Sequence, residues 1–381
     1  MSRIECKICG AMIHAVQVHL KKEHPEVTLD MYKGDYPDAP LLSEMAKERI
    51  EAHKKAKEEE KKLVEESGVI KRPLNEVFGL GKSAAALSAT GKEIPISTFD
   101  AKSNVHSELI PDFSDKYVFD IVTLKNVILG LELNMPVYAW GHAGTGKTEL
   151  FEQIAGRTGR PMIRIQHTAN TEESHIVGMW TVKNGETVWE PGPLSLAMKY
   201  GWLYLADEYD FAMPSVSAVY QPILEGKPLV IKEADAENRI VRPHPNFRFA
   251  GTGNTNGSGD EFAVYNGVVI QNSANFDRFG VVVHQQYLSK KLESQILQNQ
   301  AGLRKEDADK VVEFGTLVRE AFDSQKIGST VSPRTLINGS MLGIRRGSFR
   351  AGLALSFINK LSTIDREVVN AIAQRVFGGT E

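Results

Sequence analysis

Residues 138–150 read YAWGHAGTGKTEL, a glycine-rich turn that joins an apolar run to a helix-like run. Within this stretch, residues 141–148 fit the pattern G-x-x-x-x-G-K-[ST] at every fixed position. Glycines allow main-chain N–H groups to surround a phosphate, and the helix that follows directs its positive end toward that phosphate. The stretch therefore predicts a binding loop for a nucleoside triphosphate.

The pattern predicts a task for the residues of this loop. Lys147 would neutralise the β- and γ-phosphates of ATP, and the Thr148 hydroxyl would bind Mg²⁺. A chance glycine-rich turn is the alternative, but the strand-like run before the loop and the helix-like run after it are the context that the pattern requires. The residues expected to bind the nucleotide are Gly141, His142, Ala143, Gly144, Thr145, Gly146, Lys147 and Thr148.

Two further apolar runs end in polar residues that suit ATP hydrolysis. GWLYLADE ends in Asp207 and Glu208, and FRFAGTGNT carries Asn254 near its end. Carboxylates at the carboxyl end of a buried strand lie at the sheet edge where such folds bind ligands. We expect Asp207 to hold Mg²⁺, Glu208 to activate the attacking water and Asn254 to orient that water.

Two arginines complete the expected catalytic set. Arg278 precedes a valine run, and Arg334 follows a proline that predicts the first turn of a helix. An arginine at the γ-phosphate stabilises the charge that develops in the transition state, and a neighbouring subunit often supplies it. Either residue taken alone is more often a surface ion-pair partner.

The order of apolar and helical runs predicts an α/β fold with a parallel sheet sandwiched by helices. Five β-rich runs alternate with helical stretches, and strands separated by helices favour parallel pairing. These runs are MPVYAW (135–140), PMIRIQH (161–167), GWLYLADE (201–208), FRFAGTGNT (247–255) and RFGVVVHQQYL (278–288). After residue 288 the apolar spacing becomes helical, which predicts an α-helical lid domain.

Composition predicts a soluble cytoplasmic protein with several segments. The net charge of −3 gives no dominant field for nucleic acid or membrane, and no apolar run reaches the roughly 20 residues of a membrane span.

Residues 43–67 carry dense charge of both signs, which predicts a solvated linker helix, with a partner-binding coiled coil as the alternative. Residues 79–115 read as mostly irregular. The expected segments are a zinc-finger-like module (1–30), a charged helical linker (31–67), an N-terminal segment of the ATPase region (68–115), a nucleotide-binding α/β domain (116–290) and an α-helical lid domain (291–381).

These motifs, in this order, resemble the AAA+ ATPases, and more closely their MoxR-type branch. Within that branch the chain is similar to the ATPase small subunit of aerobic cobaltochelatase (CobS-type). DEYD (207–210) together with RPHP (242–245) is the narrower signal. NEVFGL (75–80), FDRFG (276–280) and VSPRTLI (331–337) extend the likeness over roughly residues 70–381.

The resemblance implies further roles and partners. Asn254 would be sensor 1, Arg278 the trans arginine finger and Arg334 sensor 2. It implies a homohexameric ring with ATP at the subunit interfaces, a von Willebrand-type metal-binding partner subunit and, for cobalt insertion, a large chelatase subunit. Asn184-Gly185 is a strong type I′ turn signal between β-rich arms, which is similar to the hairpin that this branch inserts into its second helix.

The N-terminal residues have the spacing of a zinc site. Cys6, Cys9, His19 and His24 give C-x2-C-x9-H-x4-H, similar to the Ros/MucR type of finger. Thiolates and imidazoles at such spacing suit tetrahedral Zn²⁺, and a unit of about 25 residues needs the metal for stability. His14 and His19 are also separated by four residues, so His14 competes for the assignment. A redox cysteine pair is the further alternative.

Two functions from different classes fit these motifs. The first is a Mg²⁺-dependent ring ATPase that remodels a partner, either as a cobaltochelatase-type subunit that serves metal insertion into a tetrapyrrole or as a MoxR-like chaperone. The second is a DNA-associated regulator that ATP switches and the finger addresses. Few basic residues surround the finger, so protein docking fits at least as well as nucleic-acid binding.

Overall fold

The computed structural model describes residues 3–51, 54, 68–101, 106–259, 265 and 267–378 of the 381-residue chain. The chain divides into two compact units, Met1–Glu66 and Ser67–Glu381. Among the described residues, no helix combines the length and the apolar character needed to cross a membrane.

The small unit begins with a hairpin followed by two helices. Strands β1 (Ile4–Glu5) and β2 (Met12–Ile13) pair antiparallel. Helices α1 (Val16–Glu23) and α2 (Leu29–Asp35) follow them. The Thr28 hydroxyl accepts a hydrogen bond from the N–H of Met31, which caps the amino terminus of α2.

The apolar core of this unit continues past residue 30. Tyr32 is buried with Cys6, Val16 and Leu20, and the Val16 N–H donates to the Leu41 carbonyl at 2.9 Å. The predicted linker helix is present over residues 44–51, while residues 52, 53 and 55–67 lie outside the described part of the chain. The residues just after the cysteine and histidine pattern therefore stabilise the module rather than act only as a linker.

The large unit carries the other strands and helices. Its strands are β3 (Val69–Pro73), β4 (Pro95–Phe99), β5 (Val137–Trp140), β6 (Met162–Gln166), β7 (Gly178–Lys183), β8 (Glu186–Pro191), β9 (Leu203–Asp207), β10 (Leu229–Val230), β11 (Ile240–Val241), β12 (Arg248–Gly253) and β13 (Val281–His284). Its α-helices are α3 (Leu74–Val77), α4 (Ile121–Glu132), α5 (Lys147–Thr158), α6 (Ser174–Val177), α7 (Pro193–Tyr200), α8 (Pro214–Val219), α9 (Gln221–Leu224), α10 (Ser273–Phe276), α11 (Lys290–Ala301), α12 (Lys305–Asp323), α13 (Pro333–Arg346), α14 (Phe349–Ser356) and α15 (Thr363–Phe377).

Five strands form a parallel sheet in the order β13-β5-β12-β9-β6. Each of the five predicted β-rich runs supplies one of them, so the predicted α/β fold with a parallel sheet is confirmed. The register places Trp140 beside Gly253 and His284, and Gln166 beside Asp207. Because all five strands run the same way, the segments that follow them meet at one edge of the sheet.

Apolar residues cover both faces of this sheet. Val137 and Leu203 belong to one buried cluster, whereas Tyr138 and Tyr204, the next residues on the same strands, belong to the other. Successive side chains of a strand point to opposite faces. A strand buried on both faces therefore reads as a continuous apolar run, which is how these strands appear in the sequence.

One strand lies in a region that the sequence predicts to be mostly irregular. β4 pairs antiparallel with β3, from Val69 beside Phe99 to Pro73 beside Pro95. Pro73 and Pro95 lie opposite each other, at the last residue of β3 and the first residue of β4. Proline is a poor strand signal because it cannot donate a ladder hydrogen bond. The pairing therefore depends on a long-range contact that the local composition hides.

The predicted hairpin is confirmed. β7 and β8 pair antiparallel, with Lys183 beside Glu186 at the turn. Asn184 and Gly185 between them have φ of 54° and 83°, the positive values that a type I′ turn requires at both central positions. Two aromatic side chains, Trp180 and Trp189, pack edge to face across the ladder.

The carboxyl-terminal helices enclose a core of their own, as the helical spacing predicts. Leu297, Phe314, Leu336, Leu353 and Val369 are buried together and come from five different helices. We refer to this C-terminal helical region of the large unit as the lid.

Candidate nucleotide-binding site

The glycine-rich loop joins the carboxyl end of β5 to the start of α5. Gly144 and Gly146 have φ of 77° and 86°, a left-handed backbone that glycine adopts without strain. Lys147, the first residue of α5, folds its side chain back over the loop. Its Nζ donates to Gly141 O at 2.7 Å and to His142 O at 3.0 Å. The lysine and the loop thus meet at the amino terminus of a helix.

Burial lowers the pKa of Lys147 to about 8, although nearby carboxylates oppose the shift. A lysine removed from water favours its neutral form unless an opposite charge compensates. The positive charge of Arg334 adds to the lowering. A bound polyanion would supply the missing compensation, so the pKa of this lysine is expected to rise when a triphosphate binds.

Thr148 and Asp207 bring oxygen atoms together below the loop. Thr148 Oγ1 donates to Asp207 Oδ1 at 2.8 Å, and Thr252 Oγ1 donates to the same oxygen. Arg164 Nε donates to the second carboxylate oxygen at 2.7 Å. A hydroxyl and a buried carboxylate form the all-oxygen donor set that Mg²⁺ prefers, so these residues fit that ion.

Glu208 has an unusual backbone next to the metal-binding candidate. Its φ is 52°, in the left-handed region that non-glycine residues rarely occupy and that clusters at functional sites. The carboxylate accepts a hydrogen bond from Gln166 Nε2 at 2.7 Å, and the main-chain N–H donates to Thr252 Oγ1 at 3.2 Å. The acid is therefore fixed at the sheet edge while remaining partly exposed.

A buried acid holds the end of β12. Asp210 Oδ2 accepts hydrogen bonds from the N–H groups of Asn254 at 2.8 Å and Thr255 at 2.9 Å. Burial raises the pKa of Asp210 in spite of these bonds. With its backbone fixed in this way, Asn254 accepts a hydrogen bond from Lys147 Nζ at 3.1 Å through Oδ1. Asp210, the fourth residue of DEYD, thus positions the Asn254 amide, a role that the motif alone does not predict.

The lid reaches the loop through a contact that requires glycine. A Cβ added at Gly144 would lie 2.5 Å from Ser332 Cβ. Ser332 caps the amino terminus of α13, where its Oγ accepts a hydrogen bond from the Thr335 N–H at 3.2 Å. Arg334 lies in this first turn, next to the loop, and the predicted helix start at Pro333 is confirmed.

A cavity of about 240 Å³ lies between the loop, the segment before α4 and the lid. Arg334 lines it together with residues 144–146 of the loop. The other wall residues could not be predicted from the sequence, because they come from distant segments without a shared motif. Those that contribute apolar or amide groups include Tyr117, Val118, Ile296, Ile337 and Asn338. Such a mixed cleft beside a phosphate loop fits a nucleobase and its ribose.

Two further side chains of the site, which no sequence motif predicts, lie on β6. Arg164 and Gln166 bind Asp207 and Glu208, respectively. They occupy alternate positions of the strand, so they point to the same face. Polar residues at alternate positions in an otherwise apolar strand are the available signal, but their target depends on β6 lying next to β9.

Arg278 lies at the opposite end of the sheet from the loop of its own chain. It precedes β13, which runs parallel to β5 with Val281 beside Val137. The loop follows the other end of β5, about 10 Å farther along a strand of this length. Arg278 Nε donates to Glu225 Oε1 at 2.7 Å instead. This arginine is therefore placed away from its own phosphate loop.

The four predicted zinc ligands come together in the small unit. The ligand atoms of Cys6, Cys9, His19 and His24 lie within 4.8 Å of one another, and Cys9 Sγ lies 3.2 Å from His19 Nε2. His14 is held elsewhere, because its Nδ1 hydrogen-bonds to Ser43 Oγ at 3.0 Å.

Two protein families match the large unit. Residues 137–265 match the AAA domain of the dynein-related subfamily, and residues 293–376 match the C-terminal domain of CbbQ, NirQ and NorQ. The aerobic cobaltochelatase subunit CobS of Sinorhizobium sp is 31% identical over 280 residues, which cover 71% of this chain and 83% of CobS. The chain belongs to the MoxR-type AAA+ ATPases related to CobS, NorQ and CbbQ.

Two other relatives of this AAA+ ATPase share smaller regions with it. Protein NorQ of Paracoccus denitrificans is 29% identical over 110 residues, which cover 29% of this chain and 41% of NorQ. The von Willebrand factor A domain-containing protein 8 of Mus musculus is 27% identical over 184 residues, which cover 46% of this chain and 9% of that protein. The family and the fold together make the chain an ATPase, and membership of this family implies ATP and Mg²⁺ as its cofactors.

Proposed function

We propose that this ATPase acts in the cytoplasm as a homohexameric ring that couples ATP hydrolysis to the remodelling of a partner protein. The observation that carries the proposal is the convergence of Lys147, Thr148, Asp207 and Asn254 at one edge of the sheet. These side chains come from three separate strand ends, and each supplies a group that a bound triphosphate or its metal needs.

Each polar group of the site has a separate task in this proposal. Lys147 binds the β- and γ-phosphates, and Thr148 and Asp207 hold Mg²⁺, which neutralises phosphate charge when bound. Glu208 accepts a proton from the attacking water. Asn254 orients that water without adding negative charge beside the γ-phosphate.

The two arginines act from outside the sheet edge. Arg334 contacts the phosphates from the lid of the same chain, because its helix begins on the loop. Arg278 serves the site of a neighbouring subunit, because it lies at the other end of the sheet from its own loop. An ATP-bound ring interface would contain one arginine of each kind.

ATP binding is expected to weaken about tenfold between pH 7 and pH 9. Free Lys147 has a pKa of about 8, so most of it is neutral at pH 9. Since the bound triphosphate raises this pKa, the complex holds more protons than the free protein above pH 8. Affinity therefore falls as the pH rises through that value. Calorimetry with a non-hydrolysable ATP analogue and Mg²⁺, in two buffers of different ionisation enthalpy, measures both the Kd and the proton uptake.

Two lysine variants serve as controls. Lys147→Ala should abolish binding at both pH values, whereas Lys199→Ala, an exposed change on α7, should bind as the wild type does. A Kd that stays constant from pH 7 to pH 9 would contradict the role of Lys147. A wild-type chain that binds no nucleotide at pH 7 would reject the proposed function.

The partner in this proposal is a von Willebrand-type subunit, with a large chelatase subunit where the task is metal insertion into a tetrapyrrole. CobS is by name a subunit of a cobaltochelatase, and the related mouse protein contains a von Willebrand factor A domain. The hairpin of β7 and β8 offers a docking surface, because Trp180 is 46% exposed and Val182 is 70% exposed. Trp180 and Val182 occupy alternate positions of β7 and so lie on one face of the hairpin, and neighbouring exposed apolar side chains favour a protein contact.

The small unit supports protein docking more than DNA binding. Lys7 Nζ lies 2.7 Å from Glu5, and Lys22 Nζ lies 3.7 Å from Glu23. Lysines next to acids neutralise few phosphates. We therefore retain the DNA-associated regulator only as the second candidate.

We also propose that the small unit holds one structural Zn²⁺ on Cys6, Cys9, His19 and His24. Ligand atoms around a tetrahedral ion lie about 3.3–3.8 Å apart, which fits the compact cluster. Among the described residues, none gives a hydrogen-bond partner to the buried Nε2 of His24. The carboxylate of Glu26 lies 3.8 Å from the other ring nitrogen of His24, which places a negative charge near the histidine without a hydrogen bond.

The purified full-length chain is expected to contain about one zinc ion. His19→Ala should lose the metal and expose residues 1–43 to trypsin, because the small core depends on the cross-link. His14→Ala is the matched control and should keep the zinc, since Ser43 holds that ring. Mass spectrometry of the metal and proteolysis with and without 1,10-phenanthroline measure both effects. A chain without zinc whose small unit is loosened by a thiol reductant would instead support a cysteine redox pair.

A further inference from the structure

Tyr265 contacts the phosphate loop from outside the motifs already described. The Ala143 N–H donates to Tyr265 Oη at 3.0 Å, and the same oxygen lies 3.0 Å from Nδ1 of His142. The residue belongs to the connection between Asn254 and Arg278. None of the roles proposed above for ATP hydrolysis involves Tyr265.

The contact lies at one end of the loop. Residues 144–146 line the cavity that fits the base and ribose. Residues 141–143 form the other end, where two carbonyls bind Lys147 Nζ and one amide binds Tyr265. A triphosphate that extends from the cavity along the loop would bring its last phosphate to this end, next to Lys147 and Asn254.

The hydroxyl of a tyrosine suits this place chemically. A phenol accepts and donates at the same time, so Oη can keep the Ala143 N–H while its own proton goes to another acceptor. His142 Nδ1 is the nearby nitrogen in this structure. A phosphate oxygen would be a stronger acceptor, because hydrogen bonds to ionised groups are shorter and stronger. A neutral donor also adds no negative charge beside the γ-phosphate.

We propose that the Tyr265 hydroxyl donates a hydrogen bond to the terminal phosphate of bound ATP and thereby distinguishes ATP from ADP. The inference rests on the proposed binding of ATP by the loop. ADP has no phosphate at this end, so its affinity does not depend on the hydroxyl. The hydrogen bond from Tyr265 therefore forms only when a γ-phosphate is present.

Residues that follow Tyr265 in the sequence are hydrogen-bonded to the segment after β9. The Val269 N–H donates to Asp210 O at 2.8 Å, and Gln271 Nε2 donates to Ala212 O at 3.3 Å. The same connection continues through α10 to Arg278. In the sequence, Tyr265 therefore lies between Asn254, which is proposed to orient the lytic water, and Arg278, which is proposed to serve the neighbouring site.

Tyr265→Phe tests the inference, because it removes the hydroxyl and keeps the ring. The Kd of the full-length chain for a non-hydrolysable ATP analogue with Mg²⁺ should rise about tenfold, and the Kd for ADP should stay within about twofold. Tyr200→Phe, a hydroxyl loss on the exposed end of α7, is the matched control and should change neither value. Thermal unfolding of both variants shows whether the fold is retained.

The other outcomes would contradict either the contact of Tyr265 with ATP or the binding of nucleotide itself. Equal weakening of both nucleotides, or no change in either, would overturn the contact with the terminal phosphate. Tighter binding of the ATP analogue would also overturn it, because the hydroxyl would then compete with the phosphate for the loop. Failure of the wild-type chain to bind either nucleotide rejects the proposed function instead, so the two failures are distinguishable.

Discussion

Replacing Glu208 by glutamine is expected to lower the ATP turnover rate at least about a hundredfold while ATP binding stays intact. Glutamine has the size of glutamate and can keep the contact with Gln166, but it cannot accept a proton from water. The phosphate loop and the lysine lie on other elements, so the cradle for ATP is unchanged. The left-handed backbone at position 208 is also retained, since only the carboxylate is altered.

Phosphate release and binding of a labelled ATP analogue, measured on the same preparation, separate these effects. Glu190→Gln, which removes an exposed acid paired with Lys183 on the hairpin at 3.1 Å, is the matched control and should hydrolyse ATP normally. Hydrolysis by Glu208→Gln at the wild-type rate would show that another group activates the water.

Arg278→Ala is expected to lower turnover in assembled rings about a thousandfold, because an arginine at the γ-phosphate stabilises the transition state by that order. The isolated chain should still bind ATP, since Arg278 lies at the far end of the sheet from its own loop. Arg278→Lys should recover little of the activity, because an ammonium group lacks the planar fork of the guanidinium.

Mixed rings test whether the arginine acts between subunits. Lys147→Ala subunits bind no ATP but carry an intact Arg278. Arg278→Ala subunits bind ATP but lack the arginine for the neighbouring site. Mixing the two inactive variants should restore hydrolysis at interfaces that combine one intact site with one intact arginine. Glu225→Gln frees Arg278 from its ion pair and should remain active. Correctly assembled mixed rings without activity would contradict the trans role.

The phosphate loop and the parallel sheet could be predicted because their signals are local. A glycine-rich turn between an apolar run and a helix is visible in a dozen residues, and strands buried on both faces appear as apolar runs. The type I′ turn at Asn184-Gly185 is local as well. In each case the backbone preference of a few neighbouring residues agrees with the final fold.

The residues that support the acids could not be predicted in the same way. Arg164 and Gln166 acquire their partners only because β6 lies next to β9, and Asp210 acquires its role only because β12 ends beside it. The same limit hid β4, whose pairing with β3 crosses a long connection. The pairs His14/His19 and His19/His24 have the same spacing in the sequence, and only the fold separates them, because His14 bonds to Ser43 while His19 and His24 lie beside the cysteines.

The absence of a side chain at Gly144 has a mechanical consequence. Since nothing separates this position from Ser332, the backbone of the loop is in direct contact with the end of a lid helix. A small rearrangement of the loop around an entering phosphate must therefore displace the helix or be resisted by it. Motion of the helical domain and occupancy of the pocket are thus tied at one point of contact, without any intervening group to absorb the movement.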